Sequence, residues 1–380
     1  MFPFPSRQNL AGVGDTGATG ARDETRVSFN DPRPGYHGRP QQRNALVTTI
    51  DVHAHAIVPA ALERMAAAHP EFGPVLVEDA GNRYLKYPGR ERLGPLPASI
   101  FEPDSRLADM DTQRVDLQII AIPPPNFHYH VPAAVGASFA SIQNDELLAL
   151  SDGTPDRFHV FGTLPLQDPE ASLAELERIS GFPRLRGIQI GSNVAGVELD
   201  DPVLEPIWSD LEARNLPVWV HPDQRAIAGA DRLNVYYLQN MIGLPLESTI
   251  AMARLIFGGV LQRHPGLRFG WVHGGGFAPY QIGRWEHGHG VRTEPKKFIG
   301  DASPRTYFNR FFFDSLTHDG VSLELLGKRT DWKRLVLGSD YPFDMAATDP
   351  VGAVEAADLP AGALEDVLSN NAAQFLRPLG

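Results

Sequence analysis

Ile50-Asp51-Val52-His53-Ala54-His55 follows the apolar stretch Ala45-Leu46-Val47 and carries two histidines separated by one alanine. Side chains alternate faces along a strand, so His53 and His55 point the same way. Two imidazoles side by side at a strand end can hold one metal ion from two directions, because neutral imidazole is the commonest ligand for zinc-like metals. In isolation the same pair reads as two surface histidines in a loop. What the rest of the chain places at other strand ends decides between these readings, and with them the fold.

From Ala45 onward, short apolar runs rich in β-branched and aromatic residues recur, separated by helix-like stretches. The pattern predicts strands at Leu46–His53, Leu117–Ile122, His159–Leu164, Gly187–Ile190, Pro217–His221, Leu267–His273, Phe311–Asp314 and Leu335–Gly338. Apolar positions at helical spacing predict helices at Ala171–Ile179, Pro202–Arg214 and Glu247–Arg263. Continuous apolar strands alternating with helices read as βαβ units around a parallel sheet buried on both faces. Eight such units predict an α/β fold, a closed (β/α)8 TIM barrel, with a doubly wound open sheet as the lesser alternative. Residues 1–44 are rich in Gly, Pro, Arg and polar residues and read as a flexible or surface-draped N-terminal arm, which leaves 45–380 as the barrel domain. Residues 60–103, between the first two strands, form an oversized segment read as an insertion over the barrel mouth. Within it, Glu78 to Tyr87 reads as a small hairpin with a Gly-containing turn.

The chain has 380 residues, with 34 Lys and Arg against 46 Asp and Glu, a formal net charge of -12. That balance argues against nucleic acid or an anionic membrane as partner and leaves room for a small anionic substrate met by local cations. No apolar run of ~20 residues and no signal-peptide pattern is present. Cysteine is absent, so disulfides, zinc-thiolate sites and cysteine nucleophiles are excluded, and the composition suits a reducing cytoplasm, the expected location. Any metal must sit on His, Asp, Glu or water. No dinucleotide-binding Gly-x-Gly-x-x-Gly follows a strand and there is no P-loop.

In a parallel barrel, chemistry sits at the C-terminal ends of the strands. The first strand carries His53-Ala54-His55, the fifth ends in His221-Pro222, the sixth in His273 followed by Gly274-Gly275-Gly276, and the eighth leads into Asp340-Tyr341-Pro342. Singly, His221 reads as a histidine at a strand edge and Asp340 as a helix N-cap. Their joint placement points to metal and proton chemistry. The glycines beside His273 let the backbone turn tightly and leave room for a substrate. His128 and His130 form a second His-x-His and read as part of a substrate loop or a surface feature, while His287 and His289 read as solvated or interfacial.

These residues resemble the amidohydrolase superfamily, and more closely its branch of amidohydrolase-related decarboxylases that includes the α-amino-β-carboxymuconate-ε-semialdehyde decarboxylases. The resemblance is carried by Asp51-Val52-His53-Ala54-His55, the segment from Phe101 to Asp111, Gly162-Thr163-Leu164-Pro165-Leu166-Gln167, Gly187-Ile188-Gln189-Ile190-Gly191, Val220-His221-Pro222, His273-Gly274-Gly275-Gly276 and Leu337-Gly338-Ser339-Asp340-Tyr341-Pro342-Phe343, and it covers the chain from Asp51 to Leu376. It implies one divalent metal ion, zinc first and manganese as the alternative, held by His53, His55, His221 and Asp340. It implies His273 and Asp340 as catalytic groups, with His273 the acid/base. Arg106 would grip a substrate carboxylate, and Arg284 would enter a neighbouring subunit's site, making the active unit a homodimer or higher homo-oligomer. Many hydrolytic members carry a lysine after strand four to bridge two metals; Gly187-Ile188-Gln189-Ile190-Gly191 offers none. Where the branch often has Pro-Trp-Asp after the fifth-strand histidine, this chain has Pro222-Asp223-Gln224, so Phe127, Tyr129 or Trp285 would have to supply aromatic contact. The function expected is non-oxidative decarboxylation of an aromatic or unsaturated, muconate-semialdehyde-like carboxylic acid. The alternative is a metal-dependent hydrolase or hydratase of a lactone, amide or unsaturated acid, and the non-enzymatic rival is an inactive binding barrel.

Overall fold

A computed structural model describes residues 48–90 and 92–379; the expected N-terminal arm and the start of the first predicted strand lie outside the described residues. Eight parallel strands form one sheet in sequence order: β1 (Ile50–His55), β2 (Leu117–Ala121), β3 (Phe158–Gly162), β4 (Leu185–Ile190), β5 (Val218–Val220), β6 (Phe269–Trp271), β7 (Phe312–Asp314) and β8 (Leu335–Val336). The last strand returns to the first. The N–H of Val52 donates to the Leu337 carbonyl at 2.9 Å and that of His55 to the Tyr341 carbonyl at 2.7 Å, which closes the barrel. Each predicted strand has its counterpart. β1 runs to His55, so both histidines of the pair lie within the strand. Its register against β2 shifts between Asp51 and Ala54, an irregularity of the kind that re-aims side chains at a strand end.

An apolar cluster drawn from around the sheet includes Ile50, Val52, Phe161, Trp219, Val272, Phe312 and Phe375. Trp219 stacks on Phe161 at 5.9 Å and leans on Phe375 at 5.5 Å. A Cβ on Gly270 would come within 2.3 Å of the Trp219 ring, so β6 admits the indole only because residue 270 has no side chain. The His53 ring lies 6.1 Å from Trp219. The polar centre therefore rests on an apolar plug.

Helices separate the strands, with two departures from the predicted spans. The stretch Glu247–Arg263 is two helices, Leu244–Phe257 and Val260–Arg263, because Gly259 adopts φ +76° between them. The stretch Pro202–Arg214 begins as the single 3-10 turn Pro202–Leu204 before the helix Glu205–Ala213. The insertion holds more than a hairpin. Helix Pro59–Ala68 leads into three antiparallel strands, Val75–Asp79, Asn82–Lys86 and Arg92–Leu96, the first two joined through Ala80 and Gly81 at positive φ. Leu85, Tyr87 and Leu96 pack with Val131, Val135 and Phe139 and seat this sheet against the segment after β2. No helix among the described residues is long and apolar enough to cross a membrane.

Candidate metal centre

β1 delivers His53 and His55, β5 leads into His221, β6 into His273 and β8 into Asp340, and all five side chains converge. The His53 ring lies 5.2 Å from those of His55 and His221 and 5.5 Å from that of His273; His221 is 5.1 Å from both His55 and His273. Asp340 Oδ1 is 3.3 Å from His53 Nε2 and 3.1 Å from His55 Nε2, and its Oδ2 is 3.7 Å from His273 Nε2. Ligand atoms of His53, His221, His273 and Asp340 all fall within 4.8 Å of one another. All of these side chains except that of His273 are buried.

The outer nitrogen of each of three imidazoles meets an acceptor. His53 Nδ1 donates to Asp314 Oδ2 at 2.7 Å, His55 Nδ1 to the Ile122 carbonyl at 3.2 Å, and His221 Nδ1 to the Pro222 carbonyl at 2.9 Å. An acceptor at Nδ1 holds one proton there and aims Nε2 inward, where it offers a lone pair whenever no second proton occupies it. The inward atoms crowd together: His53 Nε2 and His55 Nε2 are 3.3 Å apart, and Asp340 Oδ1 lies 3.3 Å from the first and 3.1 Å from the second. Lone pairs and a carboxylate gathered in this way fit a divalent cation. β4 places Gln189 near the centre, its amide donating to the Ile122 carbonyl, and carries no lysine, which fits one ion rather than two.

Electrostatics agree with this reading. Burial opposes charge on His53, but the Asp340 carboxylate and hydrogen bonds to Asp314 and Asp340 outweigh it and raise its pKa from 6.5 to about 10. Burial, reinforced by the facing imidazoles, holds His221 well below its ordinary value. Burial would raise the Asp340 pKa, yet His53, His273 and His55 keep it well below the carboxylate range. In the metal-free protein one proton thus sits on His53 at neutral pH, and a metal must displace it. Metal affinity is expected to rise about tenfold per pH unit between roughly pH 7 and 9, with release of about one proton. Titration calorimetry in buffers of differing ionisation enthalpy reads that proton; a pH-independent affinity would contradict it.

The backbone from His273 to Gly276 is left-handed throughout, with φ of +54°, +60°, +77° and +61°. A Cβ at Gly276 would stand 2.1 Å from the Pro245 carbonyl oxygen, so glycine is obligatory at that position. The turn presents the half-buried His273 ring toward a cavity of about 490 Å³, whose walls include Pro95, Pro97, Pro124, Pro125 and Pro222 and which shares His221, His273 and Asp340 with the metal centre. A second cavity of about 410 Å³, beside Phe277 and Tyr280, also reaches His273 and Asp340.

Three residues lie in surroundings other than those expected from the sequence. Arg106 is buried beneath the centre: it donates to Gln118 Oε1 at 2.9 Å and to the His55 carbonyl, and its guanidinium lies 4.9 Å from the Tyr341 ring. Two of its N–H groups thus bind β2 and the end of β1 and brace the strand that carries the histidine pair, and Arg106 does not line the larger cavity. Arg106→Ala leaves two buried acceptors unsatisfied at about 1–3 kcal/mol each, so a lowered melting temperature is expected even with metal saturating. Phe127 stacks on Tyr129 at 5.3 Å inside the core, and the aromatic lining of the larger cavity comes from Tyr237 and Phe343. His289 is buried, its Nε2 donating to the Gly300 carbonyl. Arg284 is exposed on helix Ala278–Val291. His128 is buried with neither ring nitrogen hydrogen-bonded, and His130 meets Arg225.

Two site residues escaped the sequence reading. Asp51 accepts from Ser339 Oγ at 2.6 Å and from Gln118 at 3.0 Å, tying β1 to β2 and to the end of β8. Asp314 ends β7, and the rule that singled out the other strand ends applies to it equally.

Residues 49–377 match the amidohydrolase family profile. The chain is 36% identical over 282 residues to the 2-amino-3-carboxymuconate-6-semialdehyde decarboxylase of Dictyostelium discoideum, covering 74% of this chain and 78% of that one. It is 25% identical over 260 residues to the gamma-resorcylate decarboxylase of Rhodococcus jostii, covering 63% and 77%. Among solved structures, a dihydroxybenzoic acid decarboxylase of Polaromonas, with bound manganese and the inhibitor 2-nitroresorcinol, superposes with a TM-score of 0.70 at 20% identity over 87% of this chain and 97% of that one. The profile match over nearly all of the barrel, together with the curated relatives, establishes that this chain belongs to the amidohydrolase family.

Proposed function

We propose that this protein is a metal-dependent carboxy-lyase that removes CO₂ without oxidation from an aromatic or unsaturated carboxylic acid. The observation that carries the proposal is the inward-facing set of His53, His55, His221 and Asp340, with His273 beside it, opening on a cavity large enough for one ring. Curated relatives that are decarboxylases favour this reading over the hydrolase alternative.

His53, His55, His221 and Asp340 would hold the ion, which would supply Lewis-acid polarisation of substrate oxygens. The rest falls to the protein. The apolar and proline walls orient the ring and exclude water, which strengthens the interactions of charges inside. The bond between the ring carbon and the carboxylate breaks, CO₂ departs, and the electron pair stays on carbon. His273, in its protonated form, delivers a proton to that carbon through Nε2 and is recharged from solvent through its exposed edge. Asp340 Oδ2, 3.7 Å away, keeps the ring aligned.

An imidazole-rich donor set suits zinc. Manganese is the ion in the Polaromonas structure, so reconstitution with each metal distinguishes them. The active unit is a cytoplasmic homodimer in which the exposed Arg284 of one copy reaches the other's cavity. The exposure of Arg284 on helix Ala278–Val291, which leaves it available to a neighbouring copy, supports this. A monomer by light scattering at working concentration would contradict it. The function itself is tested with a panel of hydroxybenzoates and muconate semialdehydes. CO₂ release is expected from at least one; lactone opening with no CO₂ from any acid would overturn the reading.

A further inference from the structure

Asp314 is fully buried and both of its oxygens are engaged. Oδ2 accepts from His53 Nδ1 at 2.7 Å and from the backbone N–H of His273 at 2.9 Å. Oδ1 accepts from the N–H of Gly274 at 2.7 Å and from that of Leu316 at 3.2 Å. His53 and Asp314 stand on β1 and β7, which are not neighbours; β8 runs between them. They meet because residue 338, just past β8, is glycine. A Cβ there would lie 2.6 Å from Asp314 Cβ and 2.9 Å from His53 Cβ. The sequence therefore supplies both the carboxylate and the gap through which it reaches.

The four contacts perform two separable tasks. The bond to His53 keeps the proton on Nδ1, so Nε2 offers its lone pair inward, and the negative charge makes that imidazole a stronger donor toward a cation. The bonds to His273 and Gly274 hold two consecutive N–H groups of a backbone that is left-handed at both residues, a conformation that a histidine keeps only when its surroundings enforce it. One of these tasks concerns a metal ligand. The other concerns the group that moves the proton.

We propose that Asp314 is the positioning residue of this centre: a single carboxylate that orients the His53 ligand and pins the His273–Gly274 backbone, so that ligand and proton carrier share one geometry. The inference rests on the reading of the cluster as a metal site. It predicts that the two functions fail together when this carboxylate is altered, although Asp314 touches neither the substrate cavity nor the inward-facing nitrogens.

Asp314→Asn is the informative variant. With its amide oxygen toward Gly274 and Leu316 it still accepts from those two N–H groups, but the NH₂ then facing His53 Nδ1 and the His273 N–H accepts from neither. Competition with a chromogenic chelator is expected to show a metal Kd weakened by about 10–100-fold, while the melting temperature in excess chelator stays close to that of the wild type. At saturating metal, kcat is expected to fall with little change in KM. A role confined to holding the fold predicts the reverse, a lowered melting temperature in chelator with an unchanged Kd, and that result would overturn the proposal. Gly338→Ala keeps the carboxylate and drives a methyl group between it and His53. It too is expected to weaken metal binding, and an unchanged Kd would count against the proposal. Should Asp314→Asn fail to fold, the decision falls to Gly338→Ala and to hydrogen–deuterium exchange of the wild type. Slow exchange in the segment 273–276 is expected, and fast exchange there would overturn the pinning. A wild-type protein that binds neither zinc nor manganese would overturn the metal reading itself, a failure visible before any variant is made.

Discussion

Replacing His273 by alanine leaves a folded protein that still takes up one divalent ion and turns over about 10²–10⁴-fold more slowly, the range that a positioned acid or base supplies. His273 differs from the other histidines of the centre in two respects. Among the described residues no acceptor fixes its Nδ1, whereas Asp314, Ile122 and Pro222 fix those of His53, His55 and His221. Its ring is also the one with an exposed edge in the cavity, at 18% side-chain exposure. A side chain with a free outer nitrogen and access to solvent can gain and lose a proton in each cycle; one locked on both nitrogens cannot. Metal content by plasma emission and kcat by CO₂ release are the two readouts. Because His273 also lies within reach of Asp340, loss of the ion in this variant would reassign it as a ligand. Retention of both ion and rate would remove it from the mechanism.

The second large effect is expected at His221. His221→Ala deletes one of the three inward-facing nitrogens and leaves His53, His55 and Asp340 on the far side of the site. The metal Kd should weaken by more than the roughly 10–100-fold that loss of a supporting residue costs, and turnover should fall to the level of the metal-free enzyme. A thermal readout separates this from misfolding. An ion at about 1,000 times its Kd stabilises the native state by roughly 4 kcal/mol. The wild-type melting temperature should therefore rise on adding metal, and that of His221→Ala should not. Equal melting of the two proteins in excess chelator completes the argument. A variant that still melts higher with metal would mean that His221 is not a ligand.

The parts of this protein legible in the sequence are those governed by periodicity and by strand ends. Apolar runs gave the strands, and alternation placed His53 and His55 on one side. The barrel rule then nominated His221, His273 and Asp340 for the centre where the structure brings them together. Arg106 and Phe127 are more deeply buried than the sequence discloses, for a common reason. Both sit on segments near the mouth, and nothing in the linear pattern says which way a side chain on a helix start or a proline-rich loop will turn. Gln118 and the His55 carbonyl settle the matter for Arg106, and stacking on Tyr129 settles it for Phe127. The break at Gly259 comes from its φ of +76°, which the apolar spacing of Glu247–Arg263 does not disclose. Asp314 was within reach of the strand-end rule. Its meaning depends on Gly338, and that relation exists only once β7, β8 and β1 lie side by side.

The five prolines around the larger cavity carry a thermodynamic consequence. Each fixes φ near −65°, so this part of the wall has few conformations to lose when a guest arrives. Ordering costs that weaken binding to mobile loops are small here, and selection works by shape. A wall with little freedom to adapt penalises a ring whose shape departs from that of the substrate. Saturated analogues of a good substrate should therefore bind poorly even when their carboxylates are identical.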